Sequence, residues 1–147
     1  MEYGGVSAYA RNSKLAAYQS VSAHGGVAQA DPHGLVLMLM DAAVERLTSA
    51  RGCIERAETV RKARLLHSCV SIIGELRGSL DTVRGGALAH NLSDLYDYMV
   101  RQVLRANVES NAACVTEVLS LLGEIRGAWV AIGPEVRQVA RTAMPRA

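Results

Sequence analysis

Aliphatic residues recur at spacings of three and four along almost the whole of residues 32 to 132, and nowhere do they alternate at a spacing of two. That period matches the 3.6-residue turn of an α-helix, so the chain can bury its apolar side chains as amphipathic helices and not as half-buried strands. Asp31-Pro32 places an N-cap before a residue suited to the first helical turn, which starts helix one. Val36, Leu39, Met40, Ala43, Leu47, Ala50 and Ile54 then carry it over about residues 32 to 57.

Thr59 reads as the cap of helix two, whose stripe is Leu65, Leu66, Cys69, Ile72, Ile73, Leu76 and Leu80. Asp81 to Gly86 reads as a loop, because adjacent glycines permit positive φ and weaken any helix through them. Helix three follows from about Ala87 to Ala106 with Leu88, Leu92, Leu95, Met99, Val103 and Ala106 inward. After a connection at 107–111, Asn111 caps helix four, which turns Val115, Val118, Leu122, Ile125, Trp129 and Ile132 inward and ends at Gly133-Pro134. Trp129 is expected to be buried. Four such helices on short connections imply an all-α fold, an antiparallel four-helix bundle over residues 31–133. A flexible Gly- and Ala-rich N-terminal arm, residues 1–30, precedes it, and a short basic tail, residues 134–147, follows.

The chain is 50% hydrophobic and 20% charged, which places it among folded chains and not among disordered ones. It has no Phe and is only 4% aromatic, so its core is aliphatic and it offers few flat platforms for bases. A net charge of +2 from 16 basic and 14 acidic residues, well mixed, excludes a protein devoted to neutralising phosphates; no nucleic-acid partner is expected. Arg61, Lys62 and Arg64, preceded by Glu55 and Glu58, read as a solvated face. Cys53, Cys69 and Cys114, odd in number, read as reduced core thiols of a cytoplasmic protein. The longest apolar run, Leu35 to Met40, is far short of the ~20 residues of a membrane span, and no secretory signal is visible. No membrane insertion is expected.

The residues three before His24, His33, His67 and His90 are Val21, Ala30, Arg64 and Ala87, so the acid-to-histidine pairing of dimetal bundles is missing. No CxxC pair, phosphate loop or nucleophile with an acid partner is present either. The expectation is a protein without metal, cofactor or catalytic residues, in which His67 and His90 are exposed.

Apolar surface is in surplus. Leu37, Met38 and Val44 lie off the core stripe of helix one, Tyr98 points away from Leu95 and Met99, and Leu119, Leu121 and Ala128 widen the apolar arc of helix four. Either the arm and tail cover these residues, with Tyr18 and then Tyr9 packing on them, or they dock another chain's helices. A second feature is a row of small residues opposite the core stripe: Ser71, Gly74 and Gly78 on helix two, and Thr116, Ser120, Gly123 and Gly127 on helix four. Glycine inside a helix costs ~0.8 to 1.0 kcal/mol against alanine. Close approach of a partner helix would justify it, and drift on a solvent face is the alternative.

Leu35-Val-Leu-Met-Leu-Met-Asp41, Leu76-Arg-Gly-Ser-Leu-Asp81, Gly85-Gly-Ala-Leu-Ala-His-Asn-Leu92, Leu95-Tyr-Asp-Tyr-Met99 and Ile125-Arg-Gly-Ala-Trp129 resemble, in order and spacing, the successive signatures of the FliS-type flagellar secretion chaperones. The resemblance covers about residues 18 to 132, and Tyr18 matches a tyrosine that the family tends to carry before helix one. Ala42 stands where the family usually has Gly, and the arm is longer and richer in Gly than in the family. The resemblance implies a cytosolic, non-enzymatic chaperone that binds the disordered C-terminal segment of flagellin, prevents its premature polymerisation and delivers it to a component of the export apparatus. A monomer or weak homodimer fits that role. The competing class is a helical adaptor or regulator of another amphipathic ligand.

Overall fold

The computed structural model describes residues 31–133, with the Thr82 side chain excepted. Among them are four helices and no strand: α1 Pro32–Glu55, α2 Thr59–Gly78, α3 Thr82–Glu109 and α4 Ala112–Ala131. Two compact units are distinguished, residues 39–128 and a smaller one whose described residues are 31–38 and 129–133.

In the larger unit each helix is tied to the next and the last to the first. Arg46 Nε donates to Ser68 Oγ between α1 and α2, Arg77 Nε to Ser93 Oγ between α2 and α3, and Tyr98 Oη to Glu117 between α3 and α4. Arg126 Nε to Asp41 and Arg51 Nη1 to Thr116 Oγ1 close the ring between α4 and α1. Lys62 early in α2 meets Asn107 late in α3, and Arg51 late in α1 meets Thr116 early in α4, the pairing of an antiparallel bundle. Its core is aliphatic with one aromatic: Leu39, Met40, Ala43, Leu47, Leu66, Cys69, Ile72, Ile73, Leu76, Tyr96, Met99, Val103, Val115, Val118 and Leu122 are all buried. The three thiols are free and buried, and desolvation pushes Cys69 up to about 12.

Asp31 caps α1 through Oδ1 to the His33 amide, and Asn111 caps α4 through Oδ1 to the amides of Ala113 and Cys114, as the sequence implies. Several expectations fail. Thr59 lies inside α2, with Glu58 in the capping position and no side-chain cap bond. Asp81 to Gly86 is not a loop: Asp81 accepts from the amides of Val83 and Arg84 and starts a helical turn, which breaks at Gly86, φ 54 and ψ −134. Only Gly takes that conformation without strain, and Gly85 is needed too, because a Cβ there would sit 2.6 Å from that of Ala89. Beyond the break, α3 buries Ala89, Tyr96, Met99, Val103 and Ala106, and Leu88 is 67% exposed. Leu92 and Leu95, expected inward, are half-buried, and Ala89 and Tyr96 share the buried face instead.

Lys62 is not on a solvated face. It is 4% exposed, and its Nζ donates to the Asn107 carbonyl at 2.9 Å and to Ser110 Oγ at 2.8 Å, satisfying acceptors at the C-terminal end of α3. Ile132 is exposed instead of inward.

In the smaller unit Trp129 is half-buried, not buried, and forms a clasp with His33. The indole Nε1 donates to the His33 carbonyl at 3.1 Å, the imidazole Nε2 lies 2.7 Å from the Trp129 carbonyl, and the rings stack with centroids 4.9 Å apart. An Nε2–H tautomer donates there, leaving the buried Nδ1 without a partner among the described residues. Gly133 lies against the imidazole; a Cβ on it would come within 2.9 Å of the ring.

Candidate functional site

The small-residue rows lie where an outside helix can reach them. On α2 the core residues Leu66, Cys69, Ile73 and Leu76 fix one face, and the opposite face carries Ser71, half-buried, with Gly74 and Gly78, both exposed. Seven residues return a helix to nearly the same angle, so Arg64 and the 68%-exposed Val60 continue this row toward the start of the helix. On α4, buried Val115, Val118 and Leu122 set the inner face, while Thr116, Ser120, Gly123 and Gly127 are all exposed.

A Cβ added at Gly74, Gly78, Gly123 or Gly127 meets nothing within 4 Å. No packing among the described residues therefore requires glycine at these four positions. The polar members are quiet: Ser71 Oγ donates back to the His67 carbonyl, and Thr116 Oγ1 accepts from Arg51. Both rows thus offer backbone and small side chains with few donors to desolvate.

Their placement restricts what can cover them. The ring of contacts runs α1, α2, α3, α4 and back to α1, so α2 and α4 are diagonal in the larger unit and their outer rows face opposite ways. One straight helix cannot occupy both. A ligand that uses both rows needs two helical pieces and a linker around the bundle.

The other candidates are placed differently. Leu37, Met38 and Val44 are half-buried and offer only part of their surface. Tyr98 is half-buried and engaged: its hydroxyl donates to Glu117, which also accepts from Gln102, and that hydrogen bond raises the phenol's pKa. It acts as a strut between α3 and α4. Tyr9 and Tyr18, and with them the expected cover, lie outside the described residues.

Sequence reasoning missed a groove between α1 and α2, with a volume of about 390 Å³, lined by Glu45, Arg46, Ser49, Arg61, Arg64, Leu65 and Ser68. The Arg61 to Arg64 charge cluster was its only sequence signal. Among the described residues no group of three or more His, Cys, Asp or Glu side chains is placed to hold a metal, and no helix is long and apolar enough to cross a membrane.

The model of the family described as flagellar protein FliS matches residues 14–136. A flagellar secretion chaperone FliSB of Pseudomonas aeruginosa is 42% identical over 76% of this chain and 89% of its own length. The flagellar secretion chaperone FliS of Salmonella typhimurium is 41% identical over 84% of this chain and 92% of its own, and that of Bacillus subtilis 32% identical over 77% and 80%.

Proposed function

This chain belongs to the FliS family of flagellar proteins, and from that premise we propose that it holds flagellin before export by taking the C-terminal helical segment of that client onto the outer rows of α2 and α4. The observation that carries the reading is the openness of Gly74, Gly78, Gly123 and Gly127, at which no Cβ would touch this chain. Without a Cβ, the outer surface lets a second helix approach the backbone closely and lay its own apolar side chains over the flanks. Because the two rows face opposite ways, the client wraps the bundle as two helices instead of binding as one. A segment that is disordered alone suits this, since it folds on the surface it covers and its ordering entropy moderates the affinity.

Holding of this kind prevents polymerisation by occupying the client's own assembly surface, and it needs no catalysis and no nucleotide. Delivery to a component of the export apparatus and a cytoplasmic setting complete the proposal. Residues 31–133 are read as the chaperone domain, with residues 1–30 as an arm that the client displaces and residues 134–147 as a tail.

The test is binding of the full chain to a peptide spanning the C-terminal helices of flagellin, read by calorimetry. Saturable binding that Gly78→Leu and Gly127→Leu each weaken by at least about tenfold, or about 1.4 kcal/mol, is the expected result. Unchanged affinity in both variants refutes docking on the rows. Absence of binding, with another helical ligand captured instead, favours an adaptor.

A further inference from the structure

The groove between α1 and α2 lies beside the row on α2 and carries an uneven charge. Three of its seven lining residues are arginines and one is an acid, on a chain whose net charge is only +2. The arginines differ in how they are held. Arg46 is fixed by bonds from Nε to Ser68 Oγ and from Nη1 to the Ala42 carbonyl. Among the described residues Arg61 reaches only Glu58, at 3.7 Å, and that carboxylate is already held by Arg56 at 2.7 Å, which lowers its pKa. Arg64 is exposed and has no partner among the described residues, although Glu45 lines the same groove. Its position, seven residues before Ser71, puts it on the outward row that continues through Gly74 and Gly78.

We propose that this groove receives acidic side chains of the client helix that lies along α2, with Arg64 as the first contact and Arg46 and Arg61 behind it. The proposal rests on the preceding reading of the α2 row and adds the chemistry of what that row recognises. Three arginines against the one carboxylate of Glu45 leave the lining positive, and carboxylates are the anions that the side chains of an unmodified client helix can bring to it. A nucleic-acid backbone would need a longer track of cations than three arginines and an acid provide. Since Arg64 is exposed, its effect falls mainly on the rate of encounter and on salt dependence.

The experiment follows association and dissociation of the full chain with the flagellin C-terminal peptide, by stopped flow, at low and high ionic strength. Arg64→Glu is expected to lower the association rate by about tenfold at low salt and to converge on the parent at high salt, with dissociation changed by less than about twofold and the melting curve unchanged. A peptide whose acidic side chains are replaced by amides, with its terminal carboxylate kept, should associate equally with both proteins.

Parent-like association of Arg64→Glu at low salt overturns the proposal; if Gly74→Leu still weakens binding in the same assay, docking on the row survives. If Gly74→Leu is also parent-like, the docking reading fails as well. An equal loss for Arg64→Glu with the amide peptide shows that carboxylates are not what the groove reads. Binding of a short DNA duplex abolished by Arg64→Glu assigns the groove to phosphates and likewise overturns it.

Discussion

Replacing Gly74, Gly123 and Gly127 together by alanine should make the bundle more stable and the client complex weaker. Each of the three lies inside a helix, and a Cβ at each meets nothing within 4 Å, so the intrinsic preference for alanine is gained without a steric cost. At ~0.8 to 1.0 kcal/mol per site the sum is about 2.5 to 3 kcal/mol. Gly78 is left out because it is the last residue of α2, where less helix propensity is at stake. Gly74 is on a different helix from the other two, so its contribution should add; Gly123 and Gly127 are one turn apart and are the pair to check for coupling. For a bundle of about 100 residues the gain corresponds to a rise in melting temperature of roughly 10 °C or more. Thermal and urea unfolding followed by circular dichroism measure it. A triple variant no more stable than the parent would mean that the added methyls meet something, and the account of two open rows would be wrong. The client peptide supplies the opposing sign: three methyls under a closely seated helix must lower affinity. A solvent face without a role would give the gain in stability with affinity unchanged.

Lys62→Met keeps the aliphatic stem but removes both bonds to the end of α3, and should cost ~2 to 3 kcal/mol in urea unfolding; a loss below about 0.5 kcal/mol would show that the Asn107 carbonyl and Ser110 find other donors. Ala57 holds a left-handed conformation, φ 55, in the turn after α1, so Ala57→Gly should stabilise by about 1 kcal/mol, a gain that thermal melts resolve. Burial pushes both Cys69 and Tyr96 up to about 12 from ordinary values of 9.0 and 10.0. Since both folded-state values are raised, their contribution is full below pH 9, where both groups are neutral in either state, and is lost as pH climbs toward 12. Melting temperature should therefore fall steeply across that window, and Tyr96→Phe should remove part of the slope. A parent slope matched by the variant would count against burial of the phenol.

How much was legible in the sequence follows the range of the interactions involved. The existence of four helices, the caps at Asp31 and Asn111 and most of the aliphatic core depend on neighbours three or four residues away, and the sequence alone determined them. So did the glycine rows, since helical period places Ser71, Gly74 and Gly78 on one face whatever else the chain does. Only the tertiary structure decided how far the stripe of α3 is covered. Leu88 is about three turns before Met99 and so on the same side of the helix, yet it is exposed near the break at Gly86 while Met99 is buried and Tyr96 joins the buried face. The fate of Lys62 was equally hidden, because its acceptors are 45 and 48 residues away at a helix end that reaches it only after α2 and α3 pack. The clasp of His33 and Trp129 spans 96 residues, and the arginine groove takes its sides from two helices. Local pattern cannot carry such pairs: a charged or aromatic side chain is read by its own turn as exposed or apolar, while its partner is chosen by packing that brings distant backbone within 3 Å.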